Sequence, residues 1–261
     1  MSTPQALALV RAQLGAQRRP DEVISPLSPR LLLQGRWWPF SWPEALEAGI
    51  IEARRGYRFR PENLALAHVL REQPRGGRVC ELGYGTGSLL LMAIAFLDPQ
   101  HWAGLEVQPA QADRARRTFQ AHGHDARALL EGDLRDPHSL ERLDACLAGP
   151  ADLVVLNPPF FPATWGRPSA HPEVRHSTHA HHGDLGDFLT AAKRLLAPTG
   201  QIALVYDAQR LAQLLAAAGD LDLCPQRWWW IPAKEEGPPE PFRIWVTLRH
   251  GQSITPLGAR P

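Results

Sequence analysis

Residues 78–87 read RVCELGYGTG, and their reading decides the fold. Val79, Cys80 and Leu82 make a short apolar run of the length of a buried strand, and Gly83, Gly85 and Gly87 then turn the chain. SLLLMAIAFL (88–97) follows as a helix. The same strand-then-helix unit recurs downstream. HWAGLEVQ (101–108) and ADRARRTFQAHG (112–123) form the second unit, ARALLEGDL (126–134) and HSLERLDACL (138–147) the third. DLVVLNPPF (152–160) is the fourth strand, GDFLTAAKRLLAPTG (186–200) its helix and QIALVYDA (201–208) the fifth strand. Repeated β-α units of this length predict an α/β fold with a parallel, doubly wound sheet. A helix at 208–219 and two last strands, around Arg227–Ile231 and at 242–249, complete it. With no long helix between them, those strands predict a closing hairpin and an antiparallel edge, Pro232–Pro241 being its loop.

Upstream, PQALALVRAQLGAQ (4–17) has helical spacing and breaks at Arg18-Arg19-Pro20. LLLQGRWWPFSW (31–42) reads as short strands about a turn at Gln34-Gly35. A helix is expected from Pro61 to Glu72, proline being favoured at a helix start.

The 261 residues are 44% hydrophobic, enough for one sizeable core. The formal charge is +1 and nearly all the cations are arginine, only Lys193 and Lys234 being lysines. Residues 1–78 carry 12 arginines against 7 acidic residues, a basic segment that fits a nucleic-acid partner. Arg54, Arg55, Arg58 and Arg60 are its phosphate-contacting candidates, with a solvated surface as the competing reading. Three scattered cysteines without a CxxC pair exclude a disulfide framework and a zinc site, and Cys80 reads as a small core residue. No signal peptide and no bilayer-length apolar run are present, so a cytoplasmic location and no membrane partner are expected.

The glycine turn lets a ligand approach the backbone and opens a helix N-terminus towards it. Its spacing is G-x-G-x-G, not the dinucleotide G-x-G-x-x-G. Glu106 ends the second strand, where a carboxylate can accept both hydroxyls of a ribose. Asp133 ends the third, placed to accept from an adenine amine, although Asp133 could instead start a helix, as could Asp136 before Pro137. Three such features on one sheet edge predict a nucleoside ligand.

Asn157-Pro158-Pro159-Phe160 ends the fourth strand on that edge. An exocyclic amine is a poor nucleophile because its lone pair is delocalised into the ring. The Asn157 side-chain carbonyl and the Pro158 carbonyl can both accept from it and align that lone pair. Proline supplies a carbonyl without a competing N–H and keeps the turn rigid. Phe160 can stack on the flat base. Catalysis then comes from orientation and electrostatics. The competing reading is a plain strand end.

These residues resemble class I S-adenosylmethionine-dependent methyltransferases acting on an amino group, over about residues 50–250. GYRFRPENLALAHVL (56–70) and HPEVRHSTHAHHGDLGDFLTAAKRLLAPTGQIALVYDAQRL (171–211) resemble the bacterial tRNA(Val) adenine-N6 methyltransferases. Glu62 stands where that family has aspartate, and Tyr84 where it has a small residue. The resemblance implies a Rossmann-like methyltransferase domain at 51–261, preceded by an N-terminal extension at 1–50. It implies S-adenosylmethionine as cofactor, held by Glu81, Gly83, Gly85, Gly87, Glu106, Asp133 and Asn157, with Tyr57, Arg58 and Phe59 covering it. Asn157, Pro158, Pro159 and Phe160 are then catalytic, and Arg58, Arg175 and His176 contact the RNA, most simply tRNA. A monomer is favoured. Protein glutamine N5-methylation is the alternative, since a glutamine amide is also planar; a non-catalytic RNA-binding protein of the same fold is the third reading.

The histidines at 171, 176, 179, 181 and 182 read as a polar substrate-facing loop rather than a metal site. The aromatics at 37–42 and Trp228-Trp229-Trp230 could stack on bases. Strand alternation puts at least one ring of the triplet in the core, so packing is favoured.

Overall fold

The computed structural model describes residues 3–27, 42–55, 58–159, 183–232 and 241–251. The expected unit at 78–97 forms β3 (Arg78–Leu82) and a buried helix, α3 (Ser88–Leu97). Around it stand β4 (His101–Glu106), β5 (Leu129–Glu131), β6 (Ala151–Leu156), β7 (Leu196–Asp207), β8 (Leu223–Pro232) and β9 (Pro241–His250). Their order in one seven-stranded sheet is β5-β4-β3-β6-β7-β9-β8. Neighbours from β5 through β7 are parallel, whereas β9 is antiparallel to both β7 and β8. The α/β class, the parallel sheet and the antiparallel edge hairpin are therefore as the sequence predicts.

Strand alternation sorts the core into two layers. Cys80 and Leu82 face one cluster, with Leu143, Leu189 and Leu214 of α5 (Pro137–Leu147), α6 (Leu185–Leu195) and α7 (Leu211–Gly219). Val79 faces the other, with α3 and with Ala112, Ala115 and Phe119 of α4 (Pro109–Ala121). Cys80 is fully buried, as a core residue should be. Trp228 packs on the first cluster and Trp229 on the second, while Trp230 is 44% exposed.

α3 has no polar face, and a helix apolar all round must be covered on every side. Its cover comes from the N-terminal part of the chain. That part comprises α1 (Thr3–Gln17), a ribbon of β1 (Glu22–Ser25) and β2 (Ile50–Ala53), a 3-10 turn at Glu44–Ala48, and α2 (Leu66–Leu70). Leu27, Leu46, Ile50, Leu64 and Leu66 share the cluster of α3. Trp42 sits edge-on to Phe96 and its indole N–H donates to the Leu27 carbonyl at 2.6 Å.

Three boundaries differ from expectation. The helix expected over 61–72 is a 3-10 turn at Pro61–Ala65 followed by the single turn of α2. The helix expected to reach Gly200 stops at Leu195, because Pro198 disfavours helical geometry at Ala197 and Leu196 already pairs with Ala151. β5 ends at Glu131, so Asp133 lies two residues past the strand instead of at its end. The turn at Gln34-Gly35, the 232–241 loop's interior and the histidine-rich loop lie outside the described residues. Among the described residues no helix is long and apolar enough to cross a membrane.

Candidate active site

The sheet's order reverses between β3 and its neighbours β4 and β6, and open α/β sheets place their ligands at that point, beyond the carboxyl ends of the strands. A cleft open to solvent lies there. Its walls include Phe59, Glu81, Gly83, Tyr84, Gly85, Glu106, Asn157 and Pro159.

The turn after β3 is tied down by its own amides. Gly83 N–H donates to Leu105 O at 2.7 Å, Gly87 N–H to Tyr84 O at 2.7 Å, and Gly85 N–H to Glu106 Oε2 at 2.9 Å. Gly85 has φ +54°, and a Cβ there would meet no atom within 4 Å, so its backbone borders open space. Gly87 caps α3 at φ +79°, and a Cβ there would stand 2.6 Å from the Phe119 ring. The left-handed φ favours glycine at Gly85, and at Gly87 the Phe119 ring bars a side chain as well.

Two carboxylates are buried beside this turn. Glu106 is 4% exposed, and its other oxygen accepts from Gln108 N–H at 2.8 Å. The carboxylate keeps acceptor capacity for a ligand hydroxyl. Glu81 shares Val79's face of β3 and accepts from Leu90 N–H at 2.7 Å, satisfying a first-turn amide of α3. Burial raises both carboxyls above their usual range, and Glu106 pushes Glu81 further. Gly85 N–H is already taken by Glu106, so the turn offers a pyrophosphate one amide fewer than an open glycine turn would.

Tyr84, the atypical residue of the motif, is accommodated by β4. Its ring lies over Gly104, where a Cβ would come within 2.6 Å of Tyr84 Cδ1. The hydroxyl is buried with no hydrogen-bond partner among the described residues.

Asn157 and Pro159 stand in the cleft wall just past β6, and Pro158 is buried between them. Phe59 also lines the cleft, its N–H donating to the buried Glu52 Oε1 at 2.5 Å. Arg58 is half exposed and already engaged, with Glu52 at 3.4 Å and Ser25 Oγ at 2.9 Å. Asp133 lies between Gly132 and Leu134, which stand in the cleft wall. Its carboxylate accepts from Arg135 N–H at 2.9 Å and pairs with the Arg135 guanidinium at 2.6 Å. Asp136 is the N-cap of α5, accepting from His138 and Ser139 N–H. Tyr57, Phe160, Arg175 and His176 lie outside the described residues.

Sequence reasoning missed several wall residues: Asn63, Thr86, Ser88, Gln111 and Phe188. Phe188 belongs to the same apolar stripe of α6 as Leu185 and Leu189, so nothing marks it as a site residue. Gln111 is a polar side chain on a buried helix face, and in the sequence that signal was available from its neighbours Ala112 and Ala115.

No family model matches this chain. The release factor glutamine methyltransferase of Rhodospirillum rubrum is 29% identical over 235 residues, covering 85% of this chain and 65% of that protein. The tRNA1(Val) (adenine(37)-N6)-methyltransferase of Porphyromonas gingivalis is 32% identical over 163 residues, covering 60% of this chain and 61% of that protein. The chain thus spans under two thirds of the length of either relative. Among solved structures, the ribosomal protein L11 methylase of Lactobacillus delbrueckii subsp. bulgaricus superposes with a TM-score of 0.51 at 16% identity, over 75% of this chain and 81% of that one. At that identity the likeness is one of fold: this chain has the Rossmann-like fold of these methyltransferases.

Proposed function

We propose that this chain is an S-adenosylmethionine-dependent methyltransferase that methylates adenine N6 in RNA, with tRNA as the preferred substrate. The observation that carries the proposal is Asn157-Pro158-Pro159 at the end of β6, in the same cleft as Gly85 and Glu106. The residues present suit the cofactor: open space over Gly85, and the buried carboxyl of Glu106 in the same cleft wall to accept from a ribose. When bound, the cofactor supplies an activated methyl group. The chain's own part is orientation. Asn157 Oδ1 and Pro158 O accept from the amine and aim its lone pair, Pro159 holds the turn, and Phe160 stacks on the base. Glu106 holds the ribose, while Gly83 and Gly87 shape the turn. Arg58, Arg175 and His176 are assigned to RNA phosphate, and Phe59 to covering the cleft. Asp133 is left outside the assignment while Arg135 holds it.

A second reading, glutamine N5-methylation of a protein, is favoured by one observation: the glutamine methyltransferase relative aligns with 85% of this chain, against 60% for the adenine one. The same clamp polarises a glutamine amide.

Labelled methyl transfer to bacterial tRNA and to release factor, run in parallel with nucleoside analysis, tests both. N6-methyladenosine should form, and Asn157→Ala should lower its rate by on the order of 10²–10³-fold while binding of S-adenosylhomocysteine persists. Label in release factor alone would move the acceptor to glutamine. Label in neither, with cofactor binding intact, would leave a non-catalytic RNA-binding protein.

A further inference from the structure

Gln111 sits in the first turn of α4 and is 1% exposed, yet its Oε1 has no hydrogen-bond partner among the described residues. It lines the same cleft as Glu106. The two are rigidly linked, since Gln111 N–H donates to Gln108 O at 3.1 Å and Gln108 N–H donates to Glu106 Oε1 at 2.8 Å. A buried acceptor without a donor is costly and calls for an explanation. A ligand that satisfies it must donate, so a phosphate or carboxylate does not fit and a hydroxyl does.

We propose that Gln111 Oε1 accepts a hydrogen bond from one ribose hydroxyl of the nucleoside ligand, while Glu106 accepts from the other. The inference rests on the methyltransferase reading and adds to it a specificity residue for ribose over deoxyribose. The unsatisfied acceptor makes the empty site less stable, and binding supplies the missing donor. Glu106 alone, already holding the amides of Gly85 and Gln108, reads one hydroxyl less strictly than the pair does.

The test is calorimetric titration of the full chain with S-adenosylhomocysteine and with its 2′-deoxy and 3′-deoxy analogues. Gln111→Met keeps the length and removes the acceptor. This variant should bind S-adenosylhomocysteine roughly 3–10-fold more weakly than the wild type, the worth of one hydrogen bond. For one of the two deoxy analogues, variant and wild type should bind alike. Without ligand, the variant's unfolding midpoint should match or exceed the wild type's, because an orphaned polar group has gone; Gln111→Leu serves if the methionine variant does not fold. Equal weakening for all three ligands, or none for any, would overturn the inference and leave the methyltransferase reading standing. A wild type that binds no S-adenosylhomocysteine would remove that reading and the inference with it, before any substitution is made.

Discussion

Tyr84 and Gly104 act as one unit, although twenty residues separate them. The tyrosine ring occupies the space that any β4 side chain at position 104 would fill. Gly104→Ala should therefore destabilise the protein by about 1–3 kcal/mol, the usual cost of overpacking a core. In a Tyr84→Ala background the same substitution should cost less, because the new methyl group then enters vacated space. Urea unfolding of the two single variants and the double variant measures this. Additive effects would mean that the ring moves aside freely. Glu81 and Glu106 belong to the same scale: each satisfies backbone amides that the glycine turn and α3 cannot satisfy themselves.

Among the elements, the contact of the β1–β2 ribbon with α4 is unusual for its charge. Glu22 is 1% exposed and meets Arg117 at 2.5 Å and Arg114 at 3.3 Å. Burial acts to raise its carboxyl, but the Arg117 hydrogen bond, the Arg19 amide and the two guanidiniums outweigh it and hold the pKa at about 2. The ordinary value of 4.5 applies once the chain unfolds. A depressed carboxyl contributes stability above its unfolded pKa and loses it as pH falls through its folded one. Stability from this contact should thus be complete above about pH 4.5 and fade towards pH 2, a total of about 3 kcal/mol. Glu22→Gln should flatten that part of the pH–stability curve and cost on the order of 3 kcal/mol at neutral pH, since it leaves two arginines facing a neutral amide. Chemical denaturation at a series of pH values reads both. Next to the pair, Thr118 Oγ1 accepts from Ile51 N–H at 3.0 Å, so the ribbon's edge is also held by α4.

For the molecule as a whole, the N-terminal elements and the sheet share one core. Leu27, Leu46 and Ile50 lie in the cluster that holds α3, and Leu14 is fully buried in a smaller one with Ile51 and Ala121. Each such side chain contributes about 1.5–3 kcal/mol by its burial. Scanning calorimetry should accordingly give a single unfolding transition. Deleting residues 1–48 should abolish that transition and leave a dye-binding, aggregation-prone chain, since α3 loses the cover of Leu27, Trp42 and Leu46. Two transitions, or a deletion that folds, would show that the N-terminal part is an independent unit.

What could be read in the sequence was periodic or local. Strand alternation, the glycine turn and the closing hairpin are properties of short segments, and they suffice for the α/β class and the parallel sheet. Glu106, Asn157 and Pro159 were legible for the same reason, since a parallel sheet carries its strand ends to one edge. Tertiary structure decided the rest. Whether Asp133 faces the cleft depends on where β5 stops and on Arg135, a matter of two residues that no pattern resolves. Phe188, Asn63 and Gln111 reach the cleft only through the packing of α6, the Pro61 turn and α4 against the sheet. The guanidinium partners of Glu22, Arg114 and Arg117, lie more than ninety residues away. Local sequence sets backbone preference and the side of an element that must be buried; which distant side chain meets it there is settled only when the elements pack.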